Sequence, residues 1–292
     1  MPPLFTKFHG FGNDYIVIEA KALALMGVAE SAALSEFAQR ICNRHYGAGA
    51  DGIAVVGPST SADFHVRIFN PDGSEASLSG NGTRCAASFL YYKQHWAAPE
   101  LRLSTRSGNK LYTLKESDGR GSYVFDSELG EPKFDPASIP MITAGPRDTV
   151  VDYQLNFDDE SITVTALQMG NPNCCIFVDD FESLDWRRIG KRLENHEQFP
   201  ERTNVIFVRV EDRQNIELRI WERGVGETEA SGTCSCAAAV AGMVKNKTDR
   251  LVNVRMPGGN AKIQWRGAGL TGEVVITGTA AVIYDGDWLV NG

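Results

Sequence analysis

The sequence predicts an α+β protein of two similar, pseudo-symmetric domains, each a curved, mostly antiparallel sheet or barrel around one central buried helix. Three observations lead there. The chain has 292 residues, enough for two domains at roughly 150 residues each. Short alternating or apolar runs separated by turn residues recur along it. Two stretches, roughly 81–92 and 233–245, are apolar on nearly all sides, as a helix enclosed by protein must be.

A long-period repeat accounts for the pairing. Val66-Arg67-Ile68-Phe69 resembles Leu218-Arg219-Ile220-Trp221, and Ile68 and Ile220 stand 152 residues apart. Glu75 and Glu227, Ser79-Gly80 and Ser231-Gly232, and the runs Asp51–Val56 and Thr203–Val208 share that offset of 152. Several matches at one offset point to two homologous halves.

In chain order, Tyr15–Ile18 reads as a strand and Ala29–Cys42 as an amphipathic surface helix. Gly47-x-Gly49-x-x-Gly52 matches a dinucleotide fingerprint as a string. It follows a helix and leads into the strand Ile53–Val56, the reverse of the order that fingerprint needs, so no nucleotide is expected. Phe64–Phe69 is a strand, closed by the turn Pro71-Asp72-Gly73. The first buried helix follows, and then a turn at Ser107-Gly108-Asn109. A stretch rich in Pro and turn residues, Pro132–Pro146, is the expected link, which puts the domains at 1–131 and 132–278. Ile162–Thr165 and Ile216–Trp221 are strands of the second half, with turns at Pro257-Gly258-Gly259 and Asp285-Gly286-Asp287.

Composition narrows the partners. With 37 acidic and 29 basic residues the net charge is −8, a poor match for nucleic acid. The N-terminal residues lack a basic segment leading into an apolar run, so no signal peptide is expected. Cys236–Val244, the most apolar stretch, is far too short for a bilayer, so neither a membrane partner nor a location outside the cytoplasm is expected. The six cysteines, Cys42, Cys85, Cys174, Cys175, Cys234 and Cys236, lack metal-site spacing and read as buried free thiols, and no metal is expected.

The two loop–helix junctions carry the chemistry. Ser79-Gly80-Asn81-Gly82 and Ser231-Gly232-Thr233 each run from a turn into a buried helix. The first turn of a helix presents unpaired N–H groups and the positive end of its dipole, which suits a carboxylate. One such serine is explained as an N-cap. Two at repeat-equivalent positions suggest helix ends facing one ligand across a cleft. That layout fits a two-base racemase: one group removes an α-proton, another returns it to the opposite face, and the helix ends stabilise the carbanion without metal or pyridoxal cofactor. A serine hydrolase needs a His–acid pair, and none of His9, His45, His65, His95 or His196 has a motif that marks it as that base. His9 reads as structural, and His95 and His196 read as surface residues.

The sequence resembles the diaminopimelate epimerase family across nearly its whole length. Phe8-His9-Gly10-Phe11-Gly12-Asn13-Asp14-Tyr15, Arg44–Gly52, Phe69–Ala76, Ser79–Cys85, Met169-Gly170-Asn171-Pro172, Glu201-Arg202-Thr203-Asn204 and Glu222–Thr228 carry the likeness. The resemblance implies a cofactor-independent isomerase acting on LL- and meso-diaminopimelate in lysine and peptidoglycan biosynthesis, as a homodimer. It implies a last strand, about 279–292, that returns to the first domain. It also implies that Asn13, Asn70, Asn171, Asn204, Glu222 and Arg223 surround the distal end of the diamino acid. Gly80, Asn81, Gly232 and Thr233 would hold the reacting carboxylate through their N–H groups. The family has cysteine at both base positions, where this chain has Ser79 and Ser231. It also usually has histidine where Asn173 stands. Serine is a much weaker acid than a cysteine at a helix N-terminus, and Glu222 is the remaining proton-accepting group. Three readings stay open: Cys→Ser substitutions that trap substrate, a diverged isomerase or lyase on a related diamino acid, and a relative that binds the amino acid without turning it over.

Overall fold

The computed structural model describes residues 4–157 and 160–289. The chain forms two compact units, Met1–Ser127 with Gly278–Gly292, and Glu128–Thr277.

In the first unit, β1 (Phe5–Gly10) and β2 (Asn13–Glu19) form a hairpin. Helices α1 (Ala20–Leu25) and α2 (Ser31–Cys42) cross over to β3 (Gly52–Gly57), which therefore lies parallel to β2. α2 keeps Leu34, Phe37, Ala38, Ile41 and Cys42 on its inner side, the amphipathic pattern its sequence predicts. β4 (Phe64–Phe69) and β5 (Glu75–Ala76) lead to α3 (Gly80–Tyr92), whose residues Asn81–Tyr91 are all buried. Strands β6 (Glu100–Thr105), β7 (Gly108–Ser117) and β8 (Ser122–Gly130) follow as an antiparallel meander. Ala86, Ala87, Phe89 and Leu90 of α3 share one core with Phe8, Val17, Val66, Leu103 and Phe125 of the surrounding strands.

The second unit repeats this order. β9 (Tyr153–Phe157), β10 (Glu160–Met169) and β11 (Asn171–Phe177) are antiparallel neighbours. α4 (Trp186–Glu194) crosses over to β12 (Asn204–Asp212), parallel to β11. β13 (Asn215–Glu222) and β14 (Gly226–Thr228) lead to α5 (Gly232–Val244), buried from Cys234 to Gly242. β15 (Leu251–Met256) and β16 (Gly259–Trp265) follow, and then β17 (Val274–Gly286). β17 starts in the second unit beside β16 and ends in the first, where Ala281–Gly286 pairs with β1. β17 also pairs with β8, so β1, β2, β3, β4, β6, β7, β8 and β17 close an eight-stranded barrel around α3. The stretch 132–146 lies inside the second unit, with Ile139 and Met141 in its core.

The repeat is closer than the sequence motifs suggest. α5 reproduces α3 residue for residue at the offset of 152. Upstream the offset changes: β2 spans 13–19 and β11 spans 171–177, 158 apart. The crossover connection is 32 residues long in the first unit (20–51) and 26 in the second (178–203), which accounts for the difference of six. Register fixes the equivalence. Tyr15 faces Gly52 across the parallel β2–β3 pair, and Asn173 faces Asn204 across β11–β12. Asn13 and Asn171, each preceded by a glycine of positive φ, are therefore equivalent, as are Tyr15 and Asn173.

Candidate active site

Each unit builds one junction. Ser79 and Ser231 occupy the N-cap positions of α3 and α5 in extended backbone, with φ −133° and −146°. Each carbonyl accepts the first helical N–H and also a side-chain hydroxyl four residues on. The Thr83 Oγ1 donates to Ser79 O at 2.8 Å, and the Ser235 Oγ to Ser231 O at 2.6 Å. These bonds hold the helix start open at its N–H end, where Gly80 and Asn81, or Gly232 and Thr233, present their amides.

The serine side chains differ. Ser79 Oγ accepts from Gly82 N at 3.1 Å, a conventional cap, and from the Tyr15 hydroxyl at 2.9 Å. Ser231 makes no side-chain cap bond. It is 7% exposed and its Oγ lies 3.5 Å from Thr233 Oγ1. Glu222 is beside it: burial raises this carboxyl above its ordinary value, against the pull of hydrogen bonds from Thr228 and Ser231. The Thr228 hydroxyl donates to Glu222 Oε1 at 2.8 Å, across the short β13–β14 hairpin.

The second unit gathers four of the sequence-predicted residues into one chain of hydrogen bonds. Arg223 donates through one nitrogen to Asn171 Oδ1 at 3.3 Å and through the other to Glu201 O at 3.0 Å. Asn204 Oδ1 accepts from Arg223 N at 2.9 Å, and its amide donates to Asn173 Oδ1 at 3.1 Å. Asn173 is fully buried, donates to Asn171 O at 2.5 Å, and accepts from Cys234 Sγ at 3.7 Å. Both ends of its amide are occupied.

In the first unit, Asn13 donates to Asp51 Oδ2 at 2.7 Å and accepts from Asn81 at 3.3 Å, while Arg84 donates to Asn81 Oδ1 at 2.9 Å. Asp51 is set by Arg44, which also forks onto Asp14 at 2.8 and 3.1 Å. Asn70 stands in the turn after β4, with its amide donating to Ser74 Oγ at 2.9 Å, apart from this network.

All six cysteines are buried free thiols. Burial pushes Cys42, Cys85 and Cys174 up to about 12, and raises Cys175 and Cys234 as well, so these five are inert as bases at neutral pH. Among the described residues no three His, Cys, Asp or Glu side chains gather as a metal site. Four histidine rings among the described residues have hydrogen-bond partners other than the two serines: His9 accepts from Gly12 N, His65 pairs with Ser104, His95 with Glu19, and His196 with Asn156 O. Tyr15 is a site residue to which the sequence motifs assign no role. Its signal was the second offset: Gly12-Asn13 and Gly170-Asn171 match at 158, which aligns Tyr15 with Asn173.

Residues 5–134 and 165–283 match the family model described as diaminopimelate epimerase. A diaminopimelate epimerase of Pelotomaculum thermopropionicum is 39% identical over 287 residues, covering 97% of this chain and 98% of the relative. Among solved structures, a phenazine biosynthesis protein of the PhzF family from Bacillus anthracis superposes with a TM-score of 0.69 at 17% identity, covering 99% and 100% of the two chains. A probable proline racemase from Agrobacterium radiobacter, solved with bound carbonate, gives 0.65 at 15%, covering 98% and 92%. The fold is shared with that racemase and with a hydroxyproline epimerase from Agrobacterium vitis, which gives a TM-score of 0.64 at 15% identity, covering 95% and 88% of the two chains. The chain belongs to the diaminopimelate epimerase family, and by family it is an isomerase.

Proposed function

We propose that the chain binds 2,6-diaminopimelate and handles its α-proton without a cofactor, each unit supplying one proton-transfer position, Ser79 or Ser231. The observation that carries this reading is the Arg223–Asn171–Asn204–Asn173 chain, together with Glu222 and Ser231 at the start of α5. A guanidinium already forked onto fixed oxygens is preorganised for a carboxylate. Glu222, whose carboxyl burial raises above its ordinary value, is a stronger base than a free carboxylate and suits a proton acceptor. By the family resemblance, Asn13, Asn70 and Asn81 are read as further substrate contacts, and the Gly80, Asn81, Gly232 and Thr233 amides as the groups that take the reacting carboxylate. A homodimer acting in the cytoplasm, in lysine and peptidoglycan precursor synthesis, is part of this reading.

A second reading rests on Ser79, whose hydrogen-bond partners among the described residues are two donors and no base. With only the Glu222 side able to accept a proton, the protein exchanges the α-proton without inverting the centre, or binds the amino acid without turnover. Incubating LL-diaminopimelate with the protein in D2O separates these. Deuterium with inversion supports the epimerase, deuterium with retention supports one working base, and tight binding without deuterium supports a binder. S79C/S231C is expected to gain epimerisation, and a double variant that binds diaminopimelate but neither exchanges nor inverts it would defeat the proposal.

A further inference from the structure

Tyr15 is 5% exposed, and its ring lies in a slot left by two glycines. A Cβ at Gly52 would stand 2.7 Å from Tyr15 Cε1, and a Cβ at Gly82 would stand 2.8 Å from the same atom. The second unit fills the equivalent slot. Asn173 replaces Tyr15, Asn204 replaces Gly52 and Cys234 replaces Gly82, and Asn204 and Cys234 both donate to Asn173 Oδ1. Asn173 is too short to reach the serine at the helix start, whereas Tyr15 reaches it at 2.9 Å.

A hydroxyl has two acceptor lone pairs and one proton. At Ser79 the Tyr15 hydroxyl and the Gly82 N–H fill both lone pairs, which leaves the Ser79 proton directed elsewhere. The reverse polarity, with Ser79 donating to Tyr15, would strand the phenol proton in the core and cost the desolvation of an unpaired donor. We propose that Tyr15 is the positioning residue of the first junction: it donates a hydrogen bond to whatever atom stands at position 79, making Ser79 a proton donor toward the substrate and not an acceptor. At Ser231 no phenol takes that place: its Oγ lies 3.5 Å from the Thr233 hydroxyl and hydrogen-bonds the Glu222 carboxyl. The two junctions are thus of opposite polarity, Ser79 giving a hydrogen and the Glu222–Ser231 pair taking one. Burial, with Cys85 of α3, Asp51 before β3 and Cys42 of α2 facing the phenol, raises Tyr15 far above its ordinary value, so it remains a donor at any working pH.

This deepens the proposed reaction and rests on it for its meaning, but its test needs no substrate, so the two fail separately. The probe is ultraviolet thiolate absorbance, which needs no reagent access, used to titrate the thiols of S79C and S231C; burial raises the native thiols Cys42, Cys85, Cys174, Cys175 and Cys234 out of the working range, and Cys236 is common to both variants. The thiolate of S79C would accept from both Tyr15 and Gly82, so its pKa should fall below that of S231C. Adding Y15F to S79C should raise the thiol pKa by about one or more, since one hydrogen bond to a charged atom is lost. Y15F added to S231C should leave that thiol where it was, which separates a local effect from loosened folding. An S79C thiol whose pKa is the same with and without Y15F overturns the proposal, as does a Y15F effect equal at both positions.

Discussion

At the scale of single residues, Glu222 sets function against stability. Its carboxyl is raised in the folded protein, so the contribution of its protonated form is fully present below the unfolded value near 4.5. That contribution is lost as pH rises through the folded value, where an ionised carboxylate is held in a desolvated place. E222Q keeps the shape and removes the charge. Its gain in thermal stability over the parent should therefore be larger at pH 8 than at pH 4. In the S79C/S231C background it should lower α-proton exchange at least about 100-fold, the scale of a lost general base. Equal melting temperatures at both pH values, or unchanged exchange, would remove Glu222 from the role given to it. Asn173 shows the limit of reading residues alone. Its place in the Gly-Asn-Pro motif was legible, but its amide is consumed by Asn171, Asn204 and Cys234, and Asn204 comes close only when β11 and β12 pair, Cys234 only when α5 packs against β11.

At the scale of elements, the two central helices were legible because their apolar character does not depend on context, and both lie within a residue of the expected bounds. The strands preceding them hid half of the repeat, because the crossover connections differ in length and shift the offset from 152 to 158. A side chain's use of space was not legible at all. Gly80 and Gly82 sit in one Ser-Gly-Asn-Gly string, yet an added Cβ at Gly80 meets nothing within 4 Å, while at Gly82 it meets Tyr15 at 2.8 Å and Ile68 at 2.9 Å. G82A should therefore cost about 1–3 kcal/mol through overpacking. G80A, at an exposed first helical position, should stay within about 0.5 kcal/mol. Denaturant titration of both variants measures this. Equal losses would mean that the glycine slot around Tyr15 is not tight.

At the scale of the whole chain, the units share a plan but not their electrostatics. In the first unit, Asp14 is partly desolvated, which opposes ionisation, yet hydrogen bonds from Arg44 and Lys7 outweigh that and lower it to about 2. Glu19, Glu75 and Asp285 of the same unit are also lowered: partners Lys21 and His95 outweigh burial at Glu19, Arg67 dominates at Glu75, and Lys93, Thr6 and Tyr92 outweigh burial at Asp285. In the second unit the carboxylates divide. Glu217 is lowered as Arg255 and Arg219 outweigh its burial, and Asp135, Asp212 and Glu227 are lowered by hydrogen bonds from Ser138, Gln214 and Arg187, while Glu222, where burial dominates, is raised. A carboxyl lowered by folding contributes stability that is present above its unfolded value near 4 and lost as pH falls through the folded one. Exposure and salt weaken each contribution, most of all at the exposed groups, so the strongly lowered Asp14 in the first unit and the opposing shift of Glu222 in the second decide the outcome. Acid should therefore loosen the first unit first, between about pH 4 and pH 2. Pulsed hydrogen exchange read by mass spectrometry should show β1, β2 and β3 losing protection before β12, β13 and β15. D14N should narrow that gap, because it removes the most strongly lowered group. Earlier loss in the second unit, or a gap that D14N leaves unchanged, would show that these carboxylates do not govern the order of unfolding.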